Sequence, residues 1–383
     1  MAGSKREKKP GVWELRYRGI SRSVHGGARD ADRALRQFVQ EIERGTVSDR
    51  RKTTLGQLLD EFMDLAAHGP RPLATTTRNR YRYAIKGQIK PALGDRRIDK
   101  LTSFELDRLY RSLLASGLKP ASVRKVHNII RRALGQAVRW GWITDNPAAR
   151  AEPPTVPQAE TVIPAPEAVT ALLRAAEKYD QRIAVFLWLA AVTGARRGEL
   201  CGLRWSDVDL DDGYLTINRA LAPKDEADED GPSIVVKDTK THQARTLRLD
   251  GGTIIVLTGF RNAMEQLARD AGGILGTETA WVFSTDPFGQ DPYRPASVSQ
   301  AFNRIRDRAG LPHFTIKALR HFMATMALTA GHDVRTVAGR GGWRNPNVLL
   351  NVYAHFLPTP DQRIADDMGQ LLRPTDPPKA LGA

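Results

Sequence analysis

The sequence predicts a multidomain chain with a small α+β N-terminal domain, an all-α domain, and a mixed, mainly α (α+β) C-terminal domain. At 383 residues the chain is too long for one ordinary domain. Apolar residues recur at helical spacing through residues 53–147, whereas strand-like alternation appears only before and after that region. A stretch with five prolines, residues 151–166, separates the two halves and has the composition of a stiff, exposed linker.

The first domain is assigned to residues 1–52. Residues 1–10 are polar and basic, which predicts disorder. From Val12 a strand is predicted, because an apolar face and a polar face alternate: Trp13, Leu15 and Tyr17 against Glu14, Arg16 and Arg18. A turn at residues 26–27 then leads to a helix over 31–44. The polar strand face, with Arg16 and Arg18, is either a surface that contacts a DNA groove or a solvated strand face.

Residues 53–150 are predicted to form the all-α domain. A helix N-cap is predicted at Thr53 or Thr54, another helix starts near Thr75, and a third starts at Thr102-Ser103. The longest helix, over 120–140, has an apolar stripe at Val123, Val126, Ile130, Leu134, Ala137 and Val138. Basic residues on its outer face are predicted to contact the DNA backbone: Arg124, Lys125, Arg131, Arg132 and Arg139.

The C-terminal domain is assigned to residues 167–357. Its patterns predict helices over 167–178, 181–192, 252–271, 296–309 and 316–330, and strands near 214–220, 233–238 and 245–249. The tail, residues 358–383, begins with chain-breaking prolines and then has a short helical stripe at Ile364, Met368, Leu371 and Leu372. That stripe is either the last helix of the domain or a segment that docks on a neighbouring protomer.

The net charge of +15 is concentrated in the first 150 residues. Residues 1–52 hold 14 Lys and Arg against 7 Asp and Glu, and residues 53–150 hold 18 against 8. The remaining 233 residues have a net charge of −2. So basic an N-terminal region points to a polyanion, most simply nucleic acid. The alternative is that the surplus arginine only keeps the surface soluble.

Other features favour a protein of the bacterial cytoplasm or nucleoid. Cys201 is the only cysteine, which excludes an intrachain disulfide, and it is predicted to be a small core residue. The longest apolar run, residues 184–192, has the length of a buried helix and not of a membrane span. The N-terminus has no apolar segment typical of a signal peptide.

The C-terminal half contains, in this order, the residues Arg196, Lys240, Arg320 and Tyr353. An arginine side chain is planar, always charged and able to bind two phosphate oxygens at once. A tyrosine hydroxyl is a poor nucleophile until strong cations lie beside it. Each residue alone is typical of a surface or core position. In this order they indicate DNA strand transfer through a phosphotyrosine.

The segment around Arg196 reads T-G-A-R-R-G-E-L, and with it the chain resembles the tyrosine recombinase (phage integrase) family, whose first catalytic arginine lies in T-G-x-R-x-x-E-L. The residues that follow, 204–210, are also similar to that family. The resemblance covers roughly residues 53–357 and implies a catalytic domain of tyrosine recombinase type. Residues 11–45 resemble the arm-site-binding domain of the larger integrases.

Glu199 lies three residues after Arg196 and so shares its helix face, where it either fixes the position of Arg196 or forms only a surface ion pair. The resemblance implies roles for the remaining site residues. Lys240, on a hairpin between two strands, would be the general acid, with Lys237 as the substitute. The segment 317–321 matches H-x-x-R-H, which makes Arg320 the second phosphate-binding arginine and gives His321 a packing role.

Two positions depart from the usual family residues. Lys317 replaces the first histidine of H-x-x-R-H; it can still donate a hydrogen bond to phosphate but is a poorer base. His313, four residues earlier, could partly compensate. Trp343 replaces a histidine in L-G-H, and its indole N–H can hydrogen-bond a phosphate oxygen. Tyr353, ten residues later, is then the nucleophile.

Metal and nucleotide sites are not expected. Residues 207–211 read D-x-D-x-D, but Asp212 stands where a calcium loop needs glycine and Asn218 where it needs glutamate. No G-x-x-x-x-G-K-[ST] segment is present, so nothing points to ATP. We therefore expect neither a cofactor nor a metal ion.

The predicted function is a site-specific recombinase that integrates or excises a phage or other mobile element. The expected partners are double-stranded attachment sites, a homotetramer on DNA, and accessory factors that bend DNA or set direction. Two alternatives stay open. One is a resolvase or invertase of the same family without arm-site control, and the other is a DNA-binding regulator whose active site has decayed.

Overall fold

A computed structural model of the chain describes residues 3–17, 20–43, 52–157, 162–227, 233–238, 244–276, 279–347, 349–350 and 361–371. The chain divides into two compact units. The first comprises residues 1–158 with 225–229, and the second comprises residues 159–224 with 230–383.

The N-terminal part of the first unit is an antiparallel sheet with one helix. The strands β1 (Ser4–Lys9), β2 (Val12–Tyr17) and β3 (Ile20–His25) lie in the order β1-β2-β3. The helix α1 (Ala28–Glu43) covers the sheet, and the core between them consists of Leu15, Tyr17, Ala31 and Phe38. The predicted strand, turn and helix are confirmed, with the helix starting three residues earlier than predicted.

Two details of the sheet differ from the sequence prediction. The prediction that residues 1–10 are disordered was wrong for β1. The backbone of this strand pairs with β2, although its side chains are mostly exposed. A backbone ladder does not need apolar side chains, so composition does not reveal such an edge strand. Glu14, predicted on the solvated face, is buried and forms ion pairs with Lys8 and Arg16, both at 2.8 Å.

The rest of the first unit is helical, as predicted. It contains α2 (Leu55–His68), α3 (Thr75–Ala84), which continues through a wider turn at Ile85–Ile89 into α4 (Lys90–Leu93), and then α5 (Ser103–Ala115) and α6 (Pro120–Arg139). Thr54 and Thr102 cap α2 and α5 through reciprocal capping boxes. Five of the six residues of the predicted α6 stripe are fully buried, and Val138 is half-buried.

The segment 225–227 belongs to the first unit. The buried carboxylate of Asp225 accepts hydrogen bonds from Arg78 and Arg82 of α3, and Asn79 accepts one from the backbone N–H of Glu226 at 3.1 Å. Asp225 therefore balances part of the positive charge on that face of α3.

The described residues of the second unit contain these helices: α7 (Pro166–Glu177), α8 (Gln181–Thr193), α9 (Arg197–Cys201), α10 (Gly251–Asp270), α11 (Pro295–Arg308), α12 (Ile316–Thr329), α13 (Val334–Gly341) and α14 (Asp361–Leu371). The five helices predicted with bounds correspond to α7, α8, α10, α11 and α12 within one residue at each end. Helix α13 was not predicted. The most completely apolar of them, α8, packs against α7, α10 and α12. Cys201 is buried in the same core, as predicted.

Short strands lie beside these helices. One sheet has the order β4 (Val208–Asp209), β5 (Tyr214–Ile217), β8 (Arg245–Arg248), and a separate hairpin joins β6 (Arg219–Pro223) to β7 (Ile234–Asp238). Within the described ranges, no helix is long and apolar enough to cross a membrane.

Candidate active site

The loop before Arg196 is shaped by a glycine and a threonine. Helix α8 ends at Gly194 in the left-handed conformation, with φ of 64°, and an added Cβ would collide with the side chain of Met323. The hydroxyl of Thr193 donates to the carbonyl of Leu189 at 2.5 Å and accepts the N–H of Ala195 at 3.1 Å. The chain is thereby turned sharply, and Arg196 follows as the N-cap residue of α9.

Arg196 is held by a carboxylate, as predicted. Its Nη1 donates to Oε1 of Glu199 at 2.7 Å, and its backbone N–H donates to Oε2 at 2.9 Å. A second arginine, Arg245 at the start of β8, donates from Nη2 to the same Oε2 at 2.7 Å. Glu199 is only 1% exposed. Burial alone would raise its pKa, but the hydrogen bonds and charges of the two arginines outweigh burial and lower the pKa.

Arg320 lies on α12 and is 6% exposed. Its Nη1 donates to the carbonyl of Gly194 at 2.7 Å and also to the carbonyl of Gly341. The indole ring of Trp343 covers its guanidinium, with 3.5 Å between the guanidinium carbon and the ring centroid. Arg320 is thus fixed between the loop that leads to Arg196 and the residue predicted to contact phosphate.

Three consecutive carbonyls at the C-terminal end of α13 accept hydrogen bonds from three arginines. The carbonyl of residue 340 accepts from Nε of Arg245 at 3.1 Å, that of Gly341 accepts from Arg320, and that of Gly342 accepts from Nη2 of Arg196 at 2.9 Å. The C-terminal end of a helix carries partial negative charge and unsatisfied carbonyls, so it attracts cations. We call residues 340–342 the carbonyl turn.

Lys317 and His321 lie on α12 near Arg320. Lys317 is exposed in the first turn of the helix, and His313 is exposed in the loop before it. Burial, together with the positive charges of Lys317 and Arg320, lowers the pKa of His321 from 6.5 to about 4. His321 is therefore neutral at pH 7.

Two of the predicted catalytic residues, Lys240 and Tyr353, lie outside the described residues, and so does Arg18. Lys237 is half-buried on β7. The structure thus brings Arg196, Arg320 and Trp343 together around the carbonyl turn, and it places Lys317 one helical turn from Arg320.

Sequence reasoning missed Arg245 and the role of the glycines at 341 and 342. One signal was the pair of glycines directly before Trp343, because a Gly-Gly pair often marks a turn. Another was the alternation of β8, which places Arg245 on the same face as the buried Leu247 and the exposed Arg248 on the opposite face.

The residues that resembled a calcium loop have other partners. Asp207 is buried and accepts hydrogen bonds from Asn218 at 3.1 Å, from the backbone N–H of Arg204 at 2.8 Å, and from Arg219. Its carboxylate therefore links the turn between α9 and β4 to the residues that follow β5.

The basic residues of α6 differ in how far they are exposed to solvent. Lys125, Arg131, Arg132 and Arg139 are exposed, whereas Arg124 is half-buried and donates to the carbonyl of Pro154 at 2.8 and 3.1 Å. Arg132 also donates to the hydroxyl of Tyr81 at 2.8 Å. In the N-terminal sheet Arg16 is exposed beside Glu14. Their contacts with DNA stay predictions.

Comparison with known proteins gives consistent matches. The model of the phage integrase family matches residues 165–359, and the phage integrase N-terminal SAM-like domain matches residues 54–114. A tyrosine recombinase XerC-like protein of Caldanaerobacter subterraneus subsp. tengcongensis is 26% identical over 356 residues, which cover 90% of each chain.

Solved structures show the same fold. The Tn1549 transposon integrase in complex with transposon right end DNA matches with a TM-score of 0.67 at 18% identity, over 84% of this chain and 99% of that one. The lambda integrase tetramer bound to a Holliday junction matches with a TM-score of 0.60 at 21% identity, over 89% and 96%. The family model alone spans half of the sequence. The chain belongs to the phage integrase family, the tyrosine recombinases that transfer DNA strands at specific sites.

Proposed function

We propose that this chain cuts and rejoins DNA through a covalent 3′-phosphotyrosine on Tyr353 and thereby integrates or excises a phage or other mobile element. The observation that carries the proposal is the convergence of Arg196 and Arg320, which are far apart in sequence, on adjacent carbonyls of the carbonyl turn. Two guanidiniums held this close together can bind both non-bridging oxygens of one phosphate.

The main task of the site in this reaction is to stabilise negative charge in the transition state. The hydroxyl oxygen of Tyr353 attacks the scissile phosphate in line and gives up its proton to solvent. The bond from phosphorus to the 5′ oxygen breaks, and the 5′ oxygen leaves as a hydroxyl. Negative charge builds on the non-bridging oxygens, where Arg196 and Arg320 stabilise it. One phosphodiester replaces another of similar energy, so the exchange requires no ATP.

The other proposed roles complete the site. Lys240 protonates the leaving 5′ oxygen. Lys317 and Trp343 donate hydrogen bonds to phosphate oxygens, and stacking on Arg320 supports this role for Trp343. Glu199 positions Arg196, and His321 packs in the neutral form that its low pKa implies.

The proposed partner is duplex DNA carrying core and arm attachment sites. Support comes from the basic first 150 residues, from the exposed cations of α6, and from the DNA bound to the Tn1549 and lambda integrases in their structures. By analogy with the lambda tetramer, four protomers would act together in the bacterial cytoplasm, with DNA-bending and directionality factors as additional partners. The proposed domains are an arm-type DNA-binding domain over residues 1–52, a helical core-site DNA-binding domain over 53–150 and a catalytic domain over 167–357. A linker over 151–166 and a tail over 358–383 complete the chain.

Covalent trapping tests the proposal. A duplex is first selected from a random library by its binding to the full chain, and it is then nicked next to each phosphate in turn, so that the cleaved strand end diffuses away. We expect one nick position to yield a covalent protein–DNA adduct with the wild type and none with Tyr353→Phe. Tyr214→Phe, a change at a half-exposed tyrosine of β5, is the matched control and should behave as wild type.

The same experiment addresses the alternatives. If the wild type binds the selected duplex but no nick position gives an adduct, the chain is a DNA-binding regulator with a decayed site, as the lysine at 317 would allow. Deleting residues 11–45 tests the resolvase or invertase alternative. Under the proposal this deletion abolishes integration and spares core-site binding, whereas unchanged recombination would favour an enzyme without arm-site control.

A further inference from the structure

Arg245 is a buried cation to which the proposed mechanism gives no role. Its side chain is 10% exposed and makes two hydrogen bonds, to Oε2 of Glu199 at 2.7 Å and to the carbonyl of residue 340 at 3.1 Å. Its Nη1 is buried and has no hydrogen-bond partner among the described residues. An arginine this deeply buried needs a reason, because removing a guanidinium from water costs free energy.

We propose that Arg245 is a positioning residue for Arg196, and that it acts by neutralising and orienting Glu199. The inference rests on the proposed role of Arg196 as a phosphate ligand. Arg245 itself does not touch the phosphate in this proposal. It determines how much of the positive charge of Arg196 is available there.

The charges explain why a second arginine is needed. Glu199 binds both Nη1 and the backbone N–H of Arg196, so the carboxylate fixes Arg196 but also cancels its charge. In a region of low dielectric such a pair presents little net field to a phosphate. Arg245 supplies the compensating charge, so the three residues together carry one net positive charge. Glu199 can then hold Arg196 without weakening its attraction for the phosphate.

The geometry of the carbonyl turn supports the same role. Arg245 and Arg196 each bond to both Glu199 and the carbonyl turn, at residues 340 and 342 respectively. The two arginines are therefore cross-linked at two points. Gly342 has φ of 72°, and an added Cβ would lie 2.7 Å from Nη1 of Arg245. Arg245 therefore fits beside the turn only when residue 342 is glycine.

The test compares variants on the selected, nicked duplex of the trapping experiment. Arg245→Met removes the charge and both hydrogen bonds. Arg248→Met, at an exposed arginine on the same strand, is the matched control. The rate of adduct formation is measured at saturating protein, so that DNA affinity does not enter it. We expect Arg245→Met to lower this rate by about tenfold to a hundredfold, less than loss of a direct phosphate ligand, and Arg248→Met to leave it unchanged.

Two further readouts separate positioning from a merely structural role. A methylphosphonate at the scissile position removes the oxygen charge, so the defect of Arg245→Met should largely disappear on that substrate. In the double variant Arg245→Met/Glu199→Gln the uncompensated carboxylate is gone, and we expect a rate at least about threefold above that of Arg245→Met alone. Equal loss on both substrates, together with no recovery in the double variant, would overturn the inference.

Inorganic phosphate makes the inference testable without catalysis. The proposal predicts that phosphate raises the thermal midpoint of the wild type, and that Arg196→Met removes this shift. Arg245→Met should reduce the shift, and adding Glu199→Gln should restore it. A wild type that forms no adduct contradicts the proposed function alone, whereas a phosphate shift that is identical in Arg245→Met and wild type contradicts the role of Arg245.

Discussion

Lys317 is the residue at which this site departs furthest from the H-x-x-R-H pattern. It lies in the first turn of α12, exposed, with Arg320 three residues later on the same helix face. The amino end of a helix attracts anions, so a phosphate near Arg320 would also lie near this turn. A lysine there can donate to a phosphate oxygen without exchanging a proton.

We predict that Lys317→Ala lowers the rate of adduct formation by about a hundredfold to a thousandfold, the loss of one charged donor to the transition state. Lys317→His should retain most of the rate, because histidine can also donate to phosphate. His313→Ala, a change at the exposed loop histidine, is the matched control and should be silent. The opposite pattern, a silent Lys317→Ala and an impaired His313→Ala, would show that His313 has taken over the donor role.

His321 has a pH signature of its own. Its pKa is lowered from 6.5 to about 4, so the folded state resists protonation while the unfolded state accepts a proton near pH 6.5. The contribution of His321 to the free energy of unfolding is complete above pH 6.5. It is lost as the pH falls from 6.5 towards 4, by up to about 3 kcal/mol through linkage. We predict that the thermal midpoint of the wild type falls over this range and that His321→Gln falls less. Parallel curves for the two proteins would contradict this assignment.

At the scale of elements, the main contribution of α13 comes from the backbone carbonyls at its C-terminal end. The helix places three carbonyls in a row, and the left-handed Gly342 turns the chain so that Trp343 returns over Arg320. Arg340 joins the same helix to the end of α8, donating to the carbonyl of Val192 at 3.1 Å. The carbonyls at the end of α13 thus hold Arg196 and Arg320, the arginines proposed to bind phosphate.

Gly339 in α13 and Gly342 directly after it provide a matched pair of alanine substitutions. Gly342→Ala would force a non-glycine residue into φ of 72° and bring a Cβ to 2.7 Å from Arg245, so we predict a loss of about 1–3 kcal/mol. Gly339→Ala, where a Cβ meets nothing within 4 Å, should be neutral or slightly stabilising. Unfolding of the catalytic unit by denaturant measures both, and equal stabilities would contradict the role of the turn.

At the scale of the whole molecule, charge and chemistry are separated along the chain. The first 150 residues carry a net charge of +17, and the remaining 233 carry −2 although they contain the proposed phosphate site. We therefore expect the affinity for DNA to come largely from the N-terminal region and to depend only in part on the DNA sequence. The proposed chemistry depends instead on a few arginines of the second unit.

Salt dependence tests this division. We predict that the affinity for duplex DNA falls steeply with salt, and that Lys125→Gln/Arg131→Gln on α6 reduces the slope of log K against log[salt] by about two, one for each lost phosphate contact. The control Arg108→Gln changes an exposed arginine of α5 and should leave the slope as it is. An unchanged slope in the α6 variant would remove that helix face from the DNA interface.

The sequence by itself determined most elements of this protein. The periods of apolar residues and the cap residues Thr54 and Thr102 are local signals, so the predicted helices of both units agree with the structure within a few residues. The order of Arg196, Lys240, Arg320 and Tyr353 was sufficient to indicate the family, because linear motifs preserve the chemistry of a site even where the intervening chain varies.

Only the tertiary structure decided how the site is held together. The partners of Arg245 are a carboxylate 46 residues away and a carbonyl 95 residues away, and no periodicity reports contacts over such distances. Burial of Glu14 and pairing of β1 were also invisible, because ion pairs and backbone ladders depend on neighbours in space. Local patterns specify elements, whereas the packing of distant elements specifies which charges meet.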